Sequence, residues 1–526
     1  MTNRFRKIIN HRSETIFGAA MLTGIITLGG SLLGIVRNAL LASNFGASGS
    51  LDVYYASFRL PDFIYNVFIM GFISAAFIPI FSEYWHNDKE KAWQFSNSVI
   101  LIIGIFVSCL ALGIGIFARP LLSYFFKGFS SSQLNMAILM TRIMMIQPIL
   151  LGISSVISSI LKIFKLFLAS ALAPLMYNTG IIIGILFFVP HWGLKGLAWG
   201  VVLGAVMHIL IQLPALSETG YRWHFHWSFF SKIKEGLKKM EMMAISRSLA
   251  IVNFQIFLFG ITAIATMLKA GSLAIFNFAN AIQNLPQTVF ALSFAVAAFP
   301  RLSELNGQKK LTRFNIVARD NLLQILFFLI PLSLWFIVFR EPIIRLLLGY
   351  GKFDWVATVK TTKVFSVLSL GMIFQGINIF LLRIFFARKD TLRPFIASLI
   401  SYSPGLVFCY YLAQKGGVLG LAIGVALTYF VYFLTLFVFL KPIFPSSFLK
   451  TFNYPLGKII GVALLSGGVA FVLFTLLGLL FSLEKVGNLI IDMILAFLPS
   501  FALFVFLSNK WKIKQIEGLR KLIFRL

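Results

Sequence analysis

"GSLLGIVRNALLASNFGASGSLDVYYASFRLPDF", Gly30 to Phe63, reads as the end of one apolar helix, a short Gly/Ser turn and the start of another. It also carries Arg37, Asp52 and Arg59. An ionised side chain at the centre of a membrane helix costs roughly 2.5 to 3.5 kcal/mol on insertion scales, so charges inside spans face a bundle interior or a wet cavity. The surrounding chain shows that these are spans. Of 526 residues, 59% are hydrophobic and 12% charged, and mean hydropathy is +0.90. A soluble domain is excluded. Apolar runs such as "SVILIIGIFVSCLALGIGIF" last about 20 residues, twice what a tilted barrel strand needs. The expected fold is an all-α polytopic membrane protein.

Fourteen spans are expected, at 15–43, 52–82, 93–117, 135–162, 167–188, 194–216, 241–268, 273–303, 316–340, 358–386, 391–413, 418–441, 454–482 and 486–507. With the N-terminus inside, roughly 30 of the Lys and Arg residues fall in cytoplasmic segments and about 9 in outer loops. Both termini are then cytoplasmic, and much of the +29 net charge reports topology rather than nucleic-acid binding. The basic N-terminal segment precedes an apolar stretch too long for a signal-peptide core, and reads as leading into a retained first span. Cys109 and Cys409 lie far apart within apolar runs, and "YRWHFHW" lacks an acid-and-histidine zinc pattern. Neither a disulfide, a metal site nor another cofactor is expected.

A repeat sets the architecture. "FIPIFSE" from Phe77 returns as "AFPRLSE" from Ala298, and "RPLLSYFFKGF" from Arg119 as "EPIIRLLLGYGKF" from Glu341. "ILKIF" from Ile160 returns as "LLRIF" from Leu381, and "GLKGLAWGVVLG" from Gly193 as "GVLGLAIGVALT" from Gly417. The order and the offset of 221 to 224 residues are kept. This divides the chain into an N-terminal lobe of helices 1–6 (1–216), a cytoplasmic amphipathic linker (217–240), a C-terminal lobe of helices 7–12 (241–441), and helices 13–14 with a basic tail (442–526). Six is even, so the repeats enter the membrane in one direction, as a parallel pseudo-twofold pair. The substrate site of a transporter built in this way lies at the repeat interface.

Arg37 stands about 9 Å and Arg59 about 10 Å below the outer helix ends, and Asp52 projects from nearly the same side of helix 2 as Arg59. The arginine fork suits phosphate oxygens, so an anionic substrate is implied. The other reading has each arginine snorkelling to the outer interface or pairing with Asp52. Arg142 reads as a snorkelling residue, and Arg247 as either an inner-mouth contact or another snorkeller. Gly29, Gly30 and Gly34 suit close helix packing.

"LGIVRNALLASNFGASGSLDVYYASFRLPDF" followed by "FISAAFIPIFSEY" resembles the N-terminal signature of the MurJ (MviN) lipid II flippases, within the multidrug/oligosaccharidyl-lipid/polysaccharide exporter superfamily. "GLAWGVVLGAVMHILIQLPAL", "FNFANAIQNLPQTVFALSFAVAAFPRLSE" and "RIFFARKDTLRPF" are similar to its later signatures, in order. The resemblance implies transport of lipid II, the undecaprenyl-pyrophosphate-linked peptidoglycan precursor, from the inner to the outer leaflet of the bacterial plasma membrane by alternating access. It assigns Arg37 and Ala42 to the helix 1 side of the cavity, Asp52 to the start of helix 2, Arg59 to a frequently basic position, and helices 13 and 14 to a groove for the polyprenyl tail. Ser31, Tyr65, Asn66, Ala281 and Asn284 stand where the family carries charges, which implies a less cationic cavity. Partners are lipid II and membrane lipids, with cell-wall synthesis proteins as further candidates.

Other classes remain open from the residues alone. An exporter of another polyprenyl-linked oligosaccharide shares the anionic substrate. Cationic drugs are disfavoured by the arginines. A membrane-embedded polyprenyl-phosphate glycosyltransferase needs grouped carboxylates, whereas the 17 acids here are scattered. A non-transporting scaffold leaves Arg37 and Arg59 unexplained. No P-loop is present, so transport without covalent chemistry is expected.

Overall fold

The computed structural model describes residues 16–70, 77–223, 236, 238, 251–444, 446–480 and 486–517. Among them the regular structure is entirely helical. Helix α1 is Ile16–Phe45. Helix α2 runs in pieces, Gly49–Ser57, Arg59–Ile64, a π-turn at Tyr65–Met70, and Ile78–Asn87. Then follow α3 Lys89–Phe125, α4 Ser131–Ile163, α5 Phe167–Trp192 and α6 Leu194–Ser217, then α7 Ile251–Thr266 and α8 Ser272–Gly307. Helix α9 is Leu311–Val338, continued by a short helix Arg340–Leu348, and α10 is Trp355–Ala387. The run Leu392–Leu440 is broken at Gly417, which separates α11 from α12; α13 is Ser446–Leu480 and α14 is Val486–Lys510. The expected spans each find a helix. Among the described residues ten helical runs, with Leu392–Leu440 counted as one, are long and apolar enough to cross a membrane by length and composition alone.

The chain divides into two compact units, Met1–Ala274 and Ile275–Leu526, so α7 belongs with the first. Each has its own core. In the first, Phe77, Phe81, Trp85, Trp93, Phe95 and Phe164 stack or meet edge to face with centroids 4.8–6.0 Å apart. In the second, Trp335 meets Phe497, Phe501 and Phe504, while its indole N–H donates to Ser500 Oγ at 2.8 Å.

Backbone irregularities recur at the sequence offset. The π-turn Tyr65–Met70 of α2 has its counterpart, 222 residues on, in the π-turn Gln287–Leu292 of α8. Lys165 and Lys389 both turn through φ +61° just after a helix. Gly193 (φ 57°, ψ −138°) and Gly417 (φ 59°, ψ −142°) adopt one conformation that is essentially closed to residues with a Cβ. That explains the repeated "GLKGLAWG" and "GVLGLAIG". After the turn, the next helix returns against the previous one at backbone contact, where a Cβ on Gly200 would come within 2.8 Å of Gly184 Cα and one on Gly424 within 2.7 Å of Cys409 Cα.

Candidate functional site

The charged hairpin lies in the first unit, and its members take separate partners. On α1, Arg37 is half-buried; one terminal nitrogen donates to Asn178 Oδ1 of α5 at 3.0 Å, the other to Asn38 Oδ1 at 3.2 Å, and Nε is buried without a partner. Two neutral amides therefore hold the guanidinium in place and leave its charge uncompensated. Ala42, one turn further, is fully buried, and its carbonyl accepts from Gly46 N where α1 ends. Gly29 and Gly30 lie beside Leu175 of α5, and a Cβ at Gly34 would meet nothing within 4 Å.

Asp52 is 3% exposed, and both of its oxygens are committed to backbone. Oδ2 accepts from Gly271 N at 2.6 Å and Oδ1 from Ala274 N at 2.8 Å, so the carboxylate caps the N-terminus of α8. Helix N-termini leave unsatisfied N–H groups and carry partial positive charge, which an acid answers directly. Gly271 permits the approach with φ +87°.

Arg59 follows Phe58, the single turn residue between the first two pieces of α2, three residues ahead of Pro61. The two residues that the heptad spacing put on one side take different partners: Asp52 goes to the start of α8, whereas Arg59 Nε donates to Thr262 Oγ1 of α7 at 2.6 Å. Asp62, three residues later, is not among the residues that the sequence singled out. Its carboxylate lies beside Gln147 of α4 and within electrostatic reach of Arg59 and Arg37. Tyr54 and Tyr177 sit in the same field, and Tyr65 lies beside Ser155. Arg37, Arg59 and Asp62 all keep part of their surface accessible although helices enclose them. Among the described residues no acid lies within 4 Å of either arginine, so two cations share one nearby carboxylate and the cluster is net positive. The arginine fork is the donor type that suits an oxyanion.

Arg142 donates to the Gly115 carbonyl at 2.8 Å on the exposed side of α4. Arg247 and most of the 217–240 segment lie outside the described residues. Among the described residues no three His, Cys, Asp or Glu side chains stand together as a metal site, and both cysteines are free.

In the second unit the π-turn of α8 carries amides. Gln287 Nε2 donates to Gln283 Oε1 and to Gln375 Oε1 of α10, both at 2.8 Å, and Gln283 Nε2 donates to Asn280 and Asn284 at 2.9 Å.

The family described as lipid II flippase MurJ matches residues 41–486. A probable lipid II flippase MurJ of Borreliella burgdorferi is 27% identical over 383 residues, which cover 73% of this chain and 75% of the relative. A solved lipid II flippase MurJ in an inward closed conformation superposes with a TM-score of 0.76 at 24% identity, covering 93% of this chain and 99% of that one. An inward-facing multidrug-resistance MATE transporter of the MOP superfamily reaches a TM-score of 0.67 at 16% identity over 81% of this chain and 99% of its own. The two structures establish the shared fold, and the match across most of the sequence establishes that this chain belongs to the lipid II flippase MurJ family.

Proposed function

We propose that the Arg37–Arg59 cluster receives the pyrophosphate of lipid II while the polyprenyl chain stays in lipid. As a family member the chain is a lipid II flippase, a multi-pass transporter rather than an enzyme, and it serves peptidoglycan assembly by moving the precursor from the inner to the outer leaflet. The observation that carries the assignment of residues is the pair of half-buried guanidinium groups held by neutral partners, with Arg37 Nε left without any. The pairing alternative needs Asp52 beside an arginine; instead both of its oxygens accept from the backbone at the start of α8. Asp52 then serves the site by fixing the start of α8, and Asp62 sets its net charge. Arg247 is assigned to the inner mouth and Ala42 to the wall of α1.

The lobes and linker are assigned as 1–216, 217–240, 241–441 and 442–526, with α13 and α14 offering the groove for the tail. Both termini and the 217–240 linker are placed in the cytoplasm of the plasma membrane, where cell-wall synthesis proteins are candidate partners. The decisive experiment is rescue of lipid II translocation in cells depleted of their own flippase; a well-expressed chain that fails to rescue overturns the reading. Orientation is checked by an impermeant thiol reagent, which should modify Asn44→Cys but not Lys232→Cys in intact cells.

A further inference from the structure

Helix α14 turns one face inward: Leu489, Asp492, Ala496, Ser500, Phe504 and Ser508 are buried at the three- and four-residue spacing of a helix stripe. Ser500 on this face is fully supplied, since its Oγ accepts from Trp335 Nε1 at 2.8 Å and donates to the Ser466 carbonyl at 2.7 Å. Asp492, two turns earlier, is not. Its exposure is 0%, and neither carboxylate oxygen has a hydrogen-bond partner.

No charge on the helices packed there answers it. Helix α13 has no ionisable residue after Lys458, α9 has none after Asp320, and α14 itself has no other before Lys510. The short helix Arg340–Leu348 holds three, but Arg345 lies 3.7 Å from Glu341 and over the Trp355 ring, while Arg340 donates to the Ile337 carbonyl. Glu484 and Lys485, just before α14, lie outside the described residues.

An ionised carboxylate without donor or counter-ion in a low-dielectric interior is among the costliest groups a protein can bury, and it is relieved by taking up a proton. A metal ion would need several ligands, and no group of three His, Cys, Asp or Glu residues stands among the described residues. One carboxyl suffices for a proton. A residue needed only for packing would be apolar at this depth, whereas an intramembrane acid marks a functional site by default. We propose that Asp492 is a proton-binding residue, held as the neutral acid in this conformation, and that its protonation is coupled to the transport cycle. The coupling rests on the flippase reading; the proton site does not.

Dicyclohexylcarbodiimide distinguishes the protonation states, because the acid O–H adds across its C=N bond and the adduct rearranges to a stable N-acylurea without a leaving group. The full chain in membranes at pH near 8 should carry this adduct on the peptide containing Asp492, where an exposed aspartate of pKa about 3.9 is protonated less than about one part in a thousand. Asp492→Asn should abolish it. No adduct in the parent at any pH overturns the proton site, and so does an adduct that forms only after Lys485→Gln, which would reveal an ion pair. In vesicles, an imposed pH step should change the lipid II flipping rate of the parent at least about fivefold more than that of Asp492→Asn, with lipid II binding kept within about twofold. Equal responses overturn the coupling. A parent that flips no lipid II under any condition sinks the flippase reading, while the adduct still decides the proton site.

Discussion

The π-turns of α2 and α8 share a backbone device and differ in chemistry. Around Tyr65–Met70 stand Arg59, Asp62 and, from α1, Arg37; around Gln287–Leu292 stand Gln283, Gln287 and Gln375. The residues 222 positions after Arg59 and Asp62 are Ala281 and Asn284, so a cation has become a methyl group and an acid its neutral isostere. A π-turn loosens the helix ladder and frees backbone groups, which favours polar company at both places. The duplicated backbone thus fixes where polar groups gather, and the side chains fix their chemistry: fixed charge in one unit, and in the other an amide network whose members bond one another.

The largest effect should follow from deleting the charge. A charge-assisted hydrogen bond is worth roughly 1.5 to 3 kcal/mol, so Arg37→Ala should weaken lipid II binding by about one to two orders of magnitude. Arg37→Lys should retain part of it, because lysine keeps the charge and loses the fork. Direct binding to purified protein at matched expression checks both, and parent-like binding by Arg37→Ala removes the cation site. Gln287→Ala should behave in the opposite way. It strands the buried amide of Gln283 and the half-buried one of Gln375, costing about 1 to 3 kcal/mol of stability, and should leave binding within about threefold. If Gln287→Ala impairs binding as strongly as Arg37→Ala, the division of labour between the two turns is broken.

A second comparison concerns Gly193 and Gly417, which adopt the same conformation in the two units. Alanine at either should cost about 1 to 3 kcal/mol, by backbone strain alone, since a Cβ at either position would meet nothing within 4 Å. Thermal denaturation in detergent should show similar losses. A loss at one site only would show that the two turns differ in more than sequence.

Much of the fold was legible because its signals are local. Apolar runs bounded by basic loops gave the helices, and the boundary expected between 413 and 418 falls at Gly417, between α11 and α12. The site was only partly so. Arg37 and Arg59 stood out as charges in apolar company, but Asp52 finds its donors 219 and 222 residues away, and no local pattern announces a side chain that caps a distant helix. Asp62 and Asp492 were missed for different reasons. Asp62 sits within "RLPDF", and its neighbours Gln147, Arg59 and Arg37 are brought to it only by the fold. Asp492 sits in "NLIIDMIL", and a single acid in a span does not reveal from sequence whether a partner awaits it.

The smallest expected effect tests whether the repeat is conserved for its geometry or only inherited. Lys165 and Lys389 both occupy the left-handed region at φ +61°, one residue after the C-cap of the preceding helix. Glycine usually fills that position, and a residue with a Cβ pays about 1 to 2 kcal/mol for it, offset by the greater chain entropy that glycine loses on folding. Lys165→Gly and Lys389→Gly should therefore each change stability by less than about 1 kcal/mol, toward stabilisation, if the lysines do nothing but turn the chain. Each also places a cation at a helix C-terminus, where the dipole rewards positive charge by about 0.3 to 1 kcal/mol at low salt. Adding salt screens that reward and leaves the conformational gain untouched. The glycine variants should accordingly gain stability relative to the parent as ionic strength rises, and by equal amounts at the two positions. A salt-independent loss at either lysine would mean that its side chain makes a specific contact there, and the two turns would no longer be copies of one device.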